Sequence, residues 1–98
     1  MDLIELTNAM HRFVEAQGWY TPDSPKPQSQ RNLASSLVIE AAEVLELFQW
    51  SEEVPQTEAL ASELADVALY LLQLASLSEI DLERAILDKL DINYDRAW

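Results

Sequence analysis

Apolar residues recur at three- and four-residue intervals along most of the chain and never alternate singly, a pattern that predicts helices and no strands. Over residues 3–16, Leu3, Ile4, Leu6, Met10, Phe13 and Val14 form one stripe, with Asp2 suited to cap its start and Gly18 its end. The segment YTPDSPKPQSQ (20–30) holds three prolines and reads as a loop, of a length that is often functional in a compact chain. A second helix is expected from about Ser29 to Trp50, because neither Pro nor Gly interrupts it. SEEVPQT then turns the chain. Thr57 is placed to cap a third helix reaching about Ser78, and Asp81 a fourth running toward Ala97. With 98 residues the whole chain, 1–98, is expected to be one all-α domain of four helices.

Five acids break the apolar pattern. Glu40 sits mid-stripe on the second helix among Leu33, Leu37, Val44 and Leu47, and Glu43 and Glu46 step from it toward one edge, about 60° each. Glu63 occupies the same place among Leu60, Val67, Tyr70 and Leu74 on the third helix, with Asp66 about 60° away. Ionised carboxylates in an apolar setting are costly and repel one another, so something positive must lie between the helices. Arg31 is the only Lys or Arg within residues 31–83, which leaves a metal ion. A donor set of carboxylates suits Mg²⁺ or Mn²⁺ rather than zinc, and the single His11 does not make the Glu-x-x-His pairs of a di-iron bundle. His11 reads as a packing or surface residue of the first helix.

Charge and composition narrow the partners. A net charge of -12 with six basic residues excludes a nucleic-acid backbone as partner. The absence of cysteine fits a reducing cytoplasm, and acids spaced along the apolar stretches argue against a membrane span. Magnesium on carboxylates commonly meets substrate phosphates, which directs attention to KLDINYDRAW. There Lys89, Asn93 and Arg96 are expected to form one polar row on the last helix. Trp19, Trp50 and Tyr70 are placed to stack a nucleobase, or to serve as ordinary core.

In order along the chain, EAAE (Glu40, Glu43), ELFQW (46–50), ELAD (Glu63, Asp66) and KLDIN (89–93), with RNL at 31–33, resemble the MazG-like all-α nucleoside triphosphate pyrophosphohydrolases, in particular their dCTP pyrophosphatase branch. The resemblance covers about residues 9–98 and implies a four-helix MazG-like bundle assembling as a dimer or a dimer of dimers. It implies Glu40, Glu43, Glu63 and Asp66 as Mg²⁺ ligands, Glu46 as a further acid that orients water or supports the ligands, and Lys89, Asn93 and Arg96 as triphosphate contacts. Trp19, Trp50 and Tyr70 match positions near the base. One departure is clear: the dCTP branch has a shorter segment with Phe-His before Pro-Arg-Asn, where this chain has WYTPDSPKPQSQRN.

The activity expected from these readings is Mg²⁺-dependent cleavage of a (deoxy)nucleoside triphosphate, dCTP or a related dNTP, to monophosphate and pyrophosphate, with Glu43 or Glu46 as the general base. The alternative is a non-catalytic helical oligomer that binds metal or nucleotide as a regulator.

Overall fold

The computed structural model describes residues 1–98 and contains four α-helices and no strand: α1 Leu3–Ala16, α2 Gln30–Glu46, α3 Thr57–Leu77 and α4 Leu82–Tyr94. Asp2, Ser29 and Asp81 accept hydrogen bonds from the main-chain N–H groups of Glu5, Asn32 and Arg84, capping α1, α2 and α4. Thr57 is the first residue inside α3, not its cap; Gln56 takes the cap position and makes no side-chain bond there.

The helices α2 and α3 form the central pair. Gln30 reaches Ser78 at 2.9 Å, while Glu40 and Glu63 meet farther along, so the two run antiparallel. α1 packs on the other side of α3 through Met10 and Val14. α4 touches α3 lightly and contributes no buried residue.

Two helix ends differ from expectation. α2 stops at Glu46, since residues 47–49 wind into i→i−3 hydrogen bonds and Trp50 takes a left-handed φ of 69°. Trp50 therefore lies beyond the helix and is 94% exposed. α4 ends at Tyr94, where Asp95 and Arg96 close tight turns onto Ile92 and Asn93, so Arg96 is off the helix and does not continue the row begun by Lys89 and Asn93.

The core is thin. Six of 98 residues are buried: Met10, Val14, Leu33, Leu72, Ala75 and Gln73. The accessible surface of 7703 Å² exceeds the roughly 5700 Å² expected for a folded monomer of this mass. Along α3, Glu63, Asp66, Tyr70, Gln73 and Ser76 recur at intervals of three or four, a polar seam on a helix that is apolar at most other positions after its first two turns. α3 is also long and apolar enough to cross a membrane by length and composition, contrary to the expectation that no segment would be. Its buried Leu72, Gln73 and Ala75 pack within the bundle.

Candidate metal centre and adjoining cleft

Glu40 and Glu43 lie one turn apart on α2, and Glu63 faces them from α3. One carboxylate oxygen from each falls within 4.8 Å of the others, close enough to share one ion. All three side chains are half-buried, and the Oε2 atoms of Glu40 and Glu63 are enclosed with no hydrogen-bond partner. Buried acceptors without donors call for a cation, and oxygen-only donors fit a divalent ion of the hard class.

Electrostatics agrees with the geometry. Burial pushes the Glu40 carboxyl up to about 7, helped by a hydrogen bond with Glu43 and by the charges of Glu43, Asp66 and Glu63. Glu63 is raised for the same reasons in the same order, burial first, with Glu46 adding to the charges it feels. Asp66 is thus a near neighbour, although its oxygens are outside the tight group of three. Glu46, the last residue of α2, is exposed at the margin.

A cleft of about 340 Å³ opens beside the acids. Asn32, Leu33 and Ser36 of α2 form one wall, Tyr70 of α3 another, and Trp19 with Lys26 and Gln28 a third. Ser36 precedes Glu40 by four residues and Tyr70 follows Asp66 by four, so the cleft begins one helical turn, about 6 Å, from the carboxylates on both helices. Trp19 is held edge-on by Phe13 at 5.8 Å, and Lys26 Nζ sits 4.9 Å from its ring centre.

The structure thus brings Glu40, Glu43, Glu63, Asp66, Trp19 and Tyr70 into one region. It does not bring the C-terminal residues there within a single chain. Lys89 is exposed, Asn93 has an enclosed Oδ1 without a partner, and Arg96 stacks on Trp98 at 4.2 Å. No hydrogen bond or ion pair links any of them to the acids, the one ion pair being Arg84 with Asp88.

In overall shape the chain matches the crystal structure of a pyrophosphatase from Archaeoglobus fulgidus, with a TM-score of 0.80 and 32% identity over 93% of this chain and 87% of that one. The chain belongs to the MazG-like pyrophosphatase family. As a MazG-like chain it is also similar to dCTP pyrophosphatase 1 of Rattus norvegicus, 43% identical over 75 aligned positions, and of Homo sapiens, 45% identical over 75. Each of those alignments takes in 67% of this chain but 44% of the relative, so the chain spans less than half the length of these proteins. No family model matches it. The four-helix, strand-free architecture expected of a MazG-like bundle is the one observed.

Sequence reasoning missed Lys26, Gln28 and Ser36 as walls of the cleft of this MazG-like fold. Ser36 carried a usable signal, because it stands one turn before Glu40 on the acid face. Lys26 and Gln28 lie in the proline-rich loop, where no periodicity indicates direction.

Proposed function

We propose that the chain is a nucleoside triphosphate pyrophosphohydrolase that acts on dCTP or a related dNTP and releases a nucleoside monophosphate and pyrophosphate. What carries the reading is the carboxylate group one helical turn from a cleft flanked by Trp19 and Tyr70, an arrangement suited to a phosphate beside a base. The likeness to proteins named dCTP pyrophosphatase 1 supports the same substrate class.

Glu40, Glu43 and Glu63, with Asp66, would hold Mg²⁺ or Mn²⁺, which supplies charge neutralisation at the phosphates and a water of lowered pKa. The chain's own part begins with base placement between Trp19 and Tyr70. Glu43 or Glu46 accepts the proton as water adds to the α-phosphorus, and the bond to the bridging oxygen breaks to free pyrophosphate.

A second copy belongs to this reading. The surplus of about 2000 Å² of surface is the size of a stable interface, and Val38, Ile39, Leu45, Leu64 and Leu69 of the central pair are exposed. In a dimer or dimer of dimers, a neighbour's Lys89, Asn93, Arg96 and Trp50 would complete the triphosphate and base contacts. The cytoplasm, a reducing compartment, is the setting that suits a cysteine-free chain with this substrate.

A turnover panel tests the proposal: each common NTP and dNTP with Mg²⁺, products separated by ion exchange. Monophosphate with pyrophosphate is the expected result. Absence of product from a folded, oligomeric protein that still binds nucleotide would favour the regulator reading instead.

A further inference from the structure

Gln73 is 3% exposed and is the one polar side chain among the six buried residues. It stands midway in a line of hydrogen bonds that starts in the cleft wall and ends on α3. Its Nε2 donates to Gln28 Oε1 at 2.8 Å and to Tyr20 Oη at 3.2 Å. Tyr20 Oη lies 2.6 Å from His11 Nδ1, and His11 Nε2 lies 2.7 Å from Ser76 Oγ.

One atom fixes the direction of the bonds at the cleft end of that line. The Gln28 amide faces the main-chain carbonyl of Lys26 at 2.7 Å, and a carbonyl only accepts, so the facing atom is the NH₂ nitrogen. Gln28 Oε1 then points at Gln73, which must donate, and the second Gln73 hydrogen goes to Tyr20. Tyr20 Oη, accepting from Gln73, lies within hydrogen-bond distance of His11 Nδ1, and the tautomer of His11 sets which of the two donates and which way the last bond to Ser76 runs. Lys26 is followed by Pro27, whose nitrogen carries no hydrogen. Turning that peptide over would offer Gln28 no donor, so the polarity cannot be reversed there.

With one N–H and one lone pair engaged, Gln28 keeps one N–H and one oxygen lone pair, and it lines the cleft with Trp19 and Tyr70. A carboxamide free to turn about its last bond can pair with an amino or a keto base edge by exchanging its two ends. A locked one presents a fixed order of donor and acceptor. We infer that Gln73 is a positioning residue for base selection: the Lys26 carbonyl sets the orientation of the Gln28 amide and Gln73 holds its other end, so that together they lock it and the cleft separates amino bases, cytosine or adenine, from their keto counterparts, uracil or hypoxanthine. The inference rests on the nucleotide reading of the cleft given above and sharpens it to a base edge.

The test uses nucleoside monophosphates, so its outcome does not depend on turnover. Calorimetric titration in Mg²⁺ compares dCMP with dUMP and dAMP with dIMP on the full chain and on Gln73→Met, Gln28→Ala and Ser76→Ala, with helicity checked by circular dichroism. The unmutated chain should separate the members of at least one pair by on the order of tenfold. Gln73→Met and Gln28→Ala should bring that ratio to within about twofold, while Ser76→Ala, at the far end of the line, preserves it.

Equal binding of both members of each pair by the unmutated chain overturns the inference, as does absence of any binding. A folded Gln73→Met that keeps the ratio also overturns it. If Gln73→Met fails to fold, Gln28→Ala, on the half-buried cleft wall, decides alone. Selective binding without hydrolysis of any triphosphate would leave the lock standing and remove the pyrophosphohydrolase reading. Hydrolysis with unselective binding would do the reverse.

Discussion

Glu40 is where burial and like charge meet, so it governs how the protein answers to pH and to substitution. Its folded-state pKa of about 7 stands above the ordinary 4.5, meaning that the native state holds a proton the unfolded chain has released. Metal-free stability contributed by this group is therefore full below about 4.5 and is lost as pH rises through about 7. Denaturant melts at pH 5 and pH 8 in chelator should show that decline, and Glu40→Gln should flatten it. The same replacement should cut turnover by on the order of 100-fold or more, because it removes a carboxylate proposed to hold the ion that neutralises the phosphates. Glu79 makes a different case: its φ of 58° in the turn after α3 is a left-handed conformation that favours glycine. Glu79→Gly should stabilise the fold by about 1 kcal/mol, visible as a rise of several degrees in Tm, with no change in kcat.

Between α2 and α3 the acids make a seam that is unfavourable when empty and favourable when bridged. A divalent ion present at about 100 times its Kd should add roughly 2.7 kcal/mol, so Mg²⁺ should raise Tm in wild type and leave the Glu40→Gln, Glu63→Gln double variant unmoved. At this scale the sequence was readable where local chemistry set the boundary. Asp2 and Gly18 bracket α1, Asp81 starts α4, and the heptad-like spacing aimed Glu40 and Glu63 at each other. It was unreadable where a residue acted against type. α2 stops four residues short of Trp50, whose left-handed turn is a position where Gly or Asn would have been the visible sign. The line from Gln28 to Ser76 joins residues as many as 65 positions apart, and nothing local to His11 or Gln73 announces it. A three-proline loop likewise fixes its own stiffness without saying which wall it will build.

Six buried residues and a radius of gyration of 15.8 Å, against about 13 Å for a compact chain of this length, support the proposed assembly with a second copy. Sedimentation equilibrium should return two or four times the chain mass, and Tm should climb with protein concentration; a monomer with a concentration-independent Tm would refute the assembly. The polar seam of α3 gives this economy a further meaning. Glu63, Asp66, Tyr70, Gln73 and Ser76 turn through about 140° of the helix, and Leu60, Leu64, Val67, Leu71 and Leu74 line the opposite flank. The acids and the aliphatic flank thereby lie on different sides of one cylinder. In the assembly proposed above, substitutions that reshape how copies dock could accumulate on the aliphatic flank while the acids are kept, so subunit number would be free to change in descent without retuning the carboxylate centre.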